Sequence, residues 1–364
     1  RETILSLPLL DNIFGFSDGL GLEIDENRVL AEFPPIRKES GRISGSLIKK
    51  FPRRFEKFYN DNFGFRSPII HLADKINLED QSSKKYIIGQ DNWLFLGEEY
   101  NLKSMAGSNL LSNRRIQENS DVIISNWKEC EKRGIDYIFV IAPSKYSIYP
   151  EYLPKFLAKI RTQKKDFFGN TDQIVQNILK LYPDFPILDL RGALLEEKLK
   201  TNKDIYYKTD THWNGLGASI AYKELLKELN HKYKILPTPA QYKLSEKEID
   251  YGDLTKMSGI KHKYPSPIID VKINFKKDKV IRIGKKEVIF YKNSKIRVNS
   301  KALIHHDSFF DGHLKDLIAN SFRKTIFAHR FGKCQIDTEL LETKNLSLVI
   351  QEMVERRFVV CVKK

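Results

Sequence analysis

Residues 135–142, IDYIFVIA, followed by Pro143, Ser144 and Lys145, decide the fold class of this chain. An unbroken apolar run rich in β-branched and aromatic side chains, and too short for an ordinary helix, reads as a strand buried on both faces, the kind that parallel sheets contain. On its amino side, Ile116 to Arg133 carries Ile116, Ile123, Trp127 and Cys130 along one helical stripe, and Gly134 stands where a left-handed cap ends that helix. On its carboxyl side, a helix over Thr171 to Leu181 and a strand over Pro186 to Leu190 repeat the unit. The closing third resumes the alternation: a strand ending at His306, a helix over Asp311 to Phe322, a strand over Thr325 to Ala328, a strand over Leu346 to Ile350, then the Glu352 to Arg357 segment. Strands ending at Ala142, Leu190, His306, Ala328 and Ile350 predict a parallel sheet of about five strands within a three-layer α/β sandwich. Open sheets of this kind bind ligands beyond the carboxyl ends of their strands, which makes Lys145 a candidate to neutralise an anionic substrate or polarise a carbonyl.

The remaining stretches divide the chain. Residues 1–85 read as an irregular arm, Arg1 to Arg42, followed by helices over Gly45 to Asn60 and Pro68 to Leu78; the aromatic turn between them ends in Arg66, which either holds a carboxylate of the fold or contacts substrate. Residues 86–364 read as the main α/β domain, opened by a short hairpin of Tyr86 to Ile88 and Trp93 to Leu96 around Gly89 to Asn92. Within it, residues 250–299 alternate Val and Ile with Lys and Arg, which predicts a small antiparallel excursion with one wet, basic face.

Composition narrows the classes. A hydrophobic content of 41% and a charged content of 30% are those of a globular protein, so disorder is not indicated. Gly-rich phosphate loops are absent, which argues against a nucleotide enzyme, and no cofactor is implied. The net charge of +15 favours anionic surroundings such as acidic polysaccharide or phospholipid head groups. It is accompanied by no nucleic-acid-binding motif. No apolar run is long enough to span a membrane, and the chain starts at Arg1, so a leading signal or anchor segment is expected to have been removed. Cys130, Cys334 and Cys361 allow one bridge and leave at least one thiol over; Cys130, on its helical stripe, reads as buried. The cysteines lack metal-ligand spacing, and His305, His306 and His313 come without an acidic ligand pattern, so no metal is expected.

The chemistry concentrates at two places. KTDTHWNGLGASIAYKELLKEL, residues 208–229, sets Asp210 two positions before His212 in a polar turn, with Asn214 as the cap of a strongly helical segment. That is a base and its orienting carboxylate at a helix entrance. KALIHHDSFFDG, residues 301–312, puts Ser308 in a turn between a buried strand and a helix, where a nucleophile is exposed beside backbone N–H groups able to receive an oxyanion. Trp213 follows the base and is a candidate pocket wall or sugar platform; His306 precedes the Asp-Ser pair.

TDTHWN before a helix and HHDSFF behind a strand resemble the SGNH-hydrolase-like domain of the alginate O-acetylation proteins J and X. So do, in the same order along nearly the whole chain, ENRVLAEFPP, FEKFYNDNFGFR, YIIGQDNWLFLG, APSKYSIYPEYLP, GDLTKMSGI and VIQEMVERRF. Where that family usually has Gly before Asp-Ser, this chain has His306. The resemblance implies a Ser308–His212–Asp210 triad, an extracytoplasmic address, and acetyl transfer through an acyl-serine to hydroxyls of an exported anionic or neutral polysaccharide. It further implies a membrane-bound O-acyltransferase partner as acetyl donor and allows association with a membrane surface. Alternative functions are a carbohydrate acetylesterase with the same triad, or a non-catalytic polysaccharide-binding or assembly protein.

Overall fold

Tyr137, Phe139 and Ile141 alternate with Ile138, Val140 and Ala142, and because successive strand side chains point to opposite faces, one short strand serves two cores. The computed structural model describes residues 31–37, 40–61, 85–97, 104–105, 110–163, 169–233, 237–249, 252–258, 266–273, 281–282, 288–296, 300–329 and 334–361. The helix expected over Pro68 to Leu78, the arm before residue 31 and Arg66 lie outside them.

Eleven strands are present among the described residues: β1 (Tyr86–Ile88), β2 (Leu94–Leu96), β3 (Asp136–Ala142), β4 (Ile187–Asp189), β5 (Tyr242–Ile249), β6 (Ser266–Ile273), β7 (Ile281–Arg282), β8 (Val288–Lys292), β9 (Lys301–His306), β10 (Lys324–His329) and β11 (Leu348–Val354). The central sheet runs β4-β3-β11-β9-β10-β8-β7. Its first five strands are mutually parallel, and β8 and β7 extend the β10 edge antiparallel. On one face Ile138, Val140, Ile304 and Ile350 pack against the Gly215–Lys232 helix through Ala218, Ala221 and Leu225, and against the His313–Ala319 helix through Leu314 and Leu317. On the other, Tyr137, Phe139, Leu303 and Val349 pack against the Asn113–Glu131 helix through Ile123 and Ile124, and against Asn170–Leu181 through Ile174 and Ile178. This is the three-layer α/β arrangement, mostly parallel at its centre. Gly134 has φ +64° and closes the first of those helices, donating to the Glu131 carbonyl.

Two stretches depart from the pattern expected from sequence. β11 continues through Gln351 and Glu352 to Val354, past the point where apolar residues stop, because both polar side chains find partners inside: the Gln351 amide bonds Asn126, Tyr137 and the Cys334 carbonyl, and one Glu352 oxygen accepts from the Asp307 N–H. The antiparallel excursion is not one meander. β7 and β8 join the central sheet, while β6 pairs with β5, whose largely exposed sequence YKLSEKEI lacks the alternation of a half-buried strand. The Asp253–Ser258 helix lies between β5 and β6. A disulfide joins Cys334 to Cys361, and burial pushes the remaining Cys130 thiol up to about 12.

Candidate active site

The loop carrying Asp210 is closed at its neck. Tyr206 and Trp213 form an isolated β-bridge, Tyr207 N–H donates to His212 O, and Asn214 N–H donates to Ile205 O. Asn214 then caps the following helix, its side chain accepting from the N–H groups of Leu216 and Gly217 at 2.9 and 3.2 Å. The tip is held by chain segments far away: Leu94 N–H donates to Lys208 O at 2.8 Å and Leu254 N–H to Thr209 O at 3.2 Å. Gly252 packs against this tip with no room to spare. A Cβ there would stand 2.5 Å from both Asp210 Cβ and Thr209 O. Gly252→Ala should therefore push the carboxylate out of place and lower kcat/KM for an acetyl ester about 100-fold, since a shift of about 1 Å in a catalytic group has that effect. Kinetics on the folded variant check it.

Ser308 comes from the other side, at the carboxyl end of β9. The preceding Asp307 ties its turn to the neighbouring strand: its carboxylate accepts from Phe309 N–H and from Val354 N–H, both at 2.9 Å, and its own N–H donates to Glu352 at 3.1 Å. Burial and the adjacent Asp307 hold the Glu352 carboxyl well above the usual carboxylate range, so it stays protonated beneath the turn. The two loops meet across the sheet edge. Ser308 Oγ lies 2.9 Å from His212 Nε2, and His212 Nδ1 lies 2.7 Å from Asp210 Oδ1. Asp210 also accepts from the N–H groups of His212 (3.0 Å) and Asp253 (2.8 Å).

These contacts set the charges. Burial works to raise the Asp210 carboxyl, but the His212 hydrogen bond and charge, with the backbone donors, bring it to about 2. Burial works against the His212 imidazolium, and the Asp210 hydrogen bond and charge overcome it, so His212 ends above its ordinary value. Asp253 sits close behind, with one oxygen accepting from Thr211 N–H at 2.7 Å and the other 3.8 Å from His212 Nδ1. Burial and the Asp210 charge raise its carboxyl. Asp210, His212 and Asp253 offer three possible metal-ligand atoms within 4.8 Å of one another, yet both Asp210 oxygens and one of Asp253 already accept hydrogen bonds. The group is built to orient and polarise an imidazole.

The other residues expected at the site take different places. Lys145 is 4% exposed, and its ammonium donates to Leu94 O at 2.6 Å and Lys208 O at 3.2 Å. It braces the Asp210 loop through these carbonyls and lines a cleft beside it, and burial lowers its pKa to about 7. Trp213 is 3% exposed, edge-on to Phe309 at 5.2 Å, and belongs to the core, not to a sugar platform. His306, 1% exposed, packs on Phe310 and Phe327 beneath the nucleophile turn, and burial lowers it to about 4. Arg66 lies outside the described residues. Asp253, Gly252, Asp307 and Arg356 were not anticipated; the signal for the first two was GDLTKMSG, where an acidic residue follows a glycine next to a helix start.

A parallel-centred sheet with an alcohol, an imidazole and a carboxylate bonded in line at its carboxyl edge defines an SGNH-hydrolase-like α/β protein. Residues 86–280 match the family model described as the SGNH hydrolase-like domain of the acetyltransferase AlgX, and the chain belongs to that family. The matched stretch contains Asp210, His212 and Asp253 and ends before Ser308. The chain is 27% identical over 221 residues to the "Probable alginate O-acetylase AlgJ" of Pseudomonas aeruginosa, covering 57% of this chain and 50% of that protein. It thus spans about half the length of the curated relatives it matches. Two solved structures share the fold: Bacillus cereus PatB1 (TM-score 0.53, 15% identity, 75% of this chain and 97% of that one) and the O-acetyltransferase domain of Pseudomonas putida AlgJ (TM-score 0.51, 16% identity, 75% and 92%).

Proposed function

We propose that this protein is a serine-dependent O-acetyltransferase that moves acetyl groups to hydroxyls of an exported polysaccharide. The observation that carries the reading is the hydrogen-bonded line from Asp210 through His212 to Ser308. Ser308 Oγ attacks the carbonyl carbon of an acetyl ester, its proton passes to His212 Nε2, and the carbonyl π electrons move onto oxygen. Collapse re-forms the carbonyl and expels the donor alcohol with the proton from His212, leaving acetyl-Ser308. In the second half His212 takes the proton of a sugar hydroxyl, which attacks acetyl-Ser308, and returns that proton to Ser308 Oγ as the ester transfers. Water in place of the sugar turns the same residues into an esterase.

The likeness to AlgJ proteins supports a polysaccharide acceptor, and the charge of +15 suits an acidic one. The Cys334–Cys361 disulfide supports an oxidising, extracytoplasmic location. Among the described residues no helix is long and apolar enough to cross a membrane. The acetyl donor in this reading is a membrane-bound O-acyltransferase. Incubation with 4-nitrophenyl acetate, with and without oligosaccharide acceptors, tests the reading. An acetyl adduct on Ser308 in the intact-mass spectrum, discharged faster by an oligosaccharide than by water, is expected; no adduct, or discharge indifferent to acceptor, overturns the transferase.

The imidazole must be neutral to accept the Ser308 proton. Because Asp210 raises the His212 pKa, kcat/KM should rise with pH through a midpoint above 6.5, the ordinary imidazole value. Asp253 also raises it by its charge. Asp253→Asn keeps an acceptor for Thr211 N–H and should move that midpoint down, as a pH–rate profile will read.

A further inference from the structure

The nucleophile turn spends most of its backbone donors on itself. Phe309 N–H is committed to Asp307 Oδ1 at 2.9 Å, Phe310 N–H points at Asp307 O at 3.3 Å, and Asp311 N–H at Ser308 O at 3.2 Å. Among the described residues the Ser308 N–H is the amide of this turn left without an acceptor. One neutral donor is a poor match for a full oxyanion, so a second group has to face it.

Arg356 comes to the same edge of the sheet. Asp307 accepts from Val354 N–H, which pins the start of the Ser308 turn to the end of β11, and Arg356 follows two residues later at the same sheet edge. Its guanidinium lies 5.3 Å from the ring of Phe309, which also neighbours the His212 ring at 4.8 Å. It lines a cleft with Phe95, Leu96, Ser144, Lys145, Tyr146 and Thr211, the residue before the base. The other cations at this edge are occupied: Lys145 donates to two carbonyls, and Arg191 is held by Asp189 and Asp172. Among the described residues Arg356 has no carboxylate or carbonyl acceptor; its neighbour Glu355 accepts instead from Ser144 N–H at 2.9 Å.

From this we infer that Arg356 is the second oxyanion donor of the reaction, resting on the acyl-serine reading above. When Ser308 Oγ bonds to the carbonyl carbon and the π pair moves to oxygen, an Arg356 N–H and the Ser308 N–H receive that oxygen together. The charge disappears when the carbonyl re-forms, so the guanidinium acts in the transition state of both half-reactions and is not consumed. Its charge also disfavours the His212 imidazolium, which keeps the base available.

Arg356→Gln and Arg356→Lys separate this role from others. The first should lower kcat for acetyl-ester turnover about 100-fold with little change in KM, and weaken inhibition by an alkyl boronic acid, which forms a tetrahedral anion on Ser308, by a similar factor. Arg356→Lys, which keeps the stem and the charge, should recover part of both. Unchanged kcat and boronate affinity in the glutamine variant overturn the inference, as does a loss confined to KM for carboxylate-bearing acceptors, which would make Arg356 an anchor for the acceptor. A wild-type protein that neither forms the acetyl adduct nor reacts with a serine-directed phosphonate overturns the acyl-serine reading and this inference with it. A wild-type protein that does both while Arg356→Gln keeps full kcat overturns this inference alone.

Discussion

Ser308→Ala is expected to abolish acetyl transfer, with kcat for an activated acetyl ester falling by about a thousandfold or more. The size follows from the role: without Oγ no acyl-enzyme forms, and the base and its orienting carboxylate have no proton to move. Stability should hardly change. Ser308 is only partly buried, its side chain is bonded to His212 alone, and the clamps that shape the turn run through Asp307. A melting temperature close to that of the wild type, together with loss of turnover and of phosphonate labelling, is the full expected result. A folded variant with retained turnover removes Ser308 from the chemistry.

Asp210→Asn should have the next largest effect, about a thousandfold or more in kcat, because an amide cannot stabilise the imidazolium and can stabilise the wrong tautomer of its partner. Here the geometry sharpens the expectation. Asp210 Oδ1 takes both the His212 N–H and the ring Nδ1–H, and Oδ2 takes the Asp253 N–H. An Asn side chain has one oxygen for these, so either its NH2 group opposes the Asp253 N–H or it faces Nδ1 and forces that nitrogen to accept. In the second case Nε2 carries the proton and cannot take one from Ser308. Raising the pH should not restore activity, since the defect is a tautomer and not a charge; the pH–rate profile of the variant reads this directly.

The two parts of the molecule were not equally open to reading from sequence. The five parallel strands announce themselves because burial on both faces demands runs such as IDYIFVIA, and the capping glycine at residue 134 marks where one helix ends. β5 left no such mark, because most of its side chains face water and its partner β6 alone makes it a strand. The extension of β11 was hidden for the opposite reason: Gln351 and Glu352 look like the end of a buried run until their hydrogen bonds with Asn126, Tyr137 and Asp307 are seen. At the site, Asp210 and His212 were candidates from their spacing and Ser308 from its strand-to-helix setting, and the fold brings the three into hydrogen-bond contact. Lys145, Trp213 and His306 were equally conspicuous as letters, but the first is tied to backbone carbonyls and the others are sealed in the core. Asp253 and Arg356 reach the site only through tertiary contact.

The position of β11 has a consequence for how the protein is made. Among the described residues it is the last strand of the central sheet in chain order, yet it lies at the middle of the five parallel strands, between β3 and β9. Until it arrives, the two halves of the sheet face each other across an unfilled apolar slot, and neither has its full complement of ladder bonds. A nascent chain therefore completes its parallel ladder late, because the pairings on both sides of β11 join segments far apart in sequence.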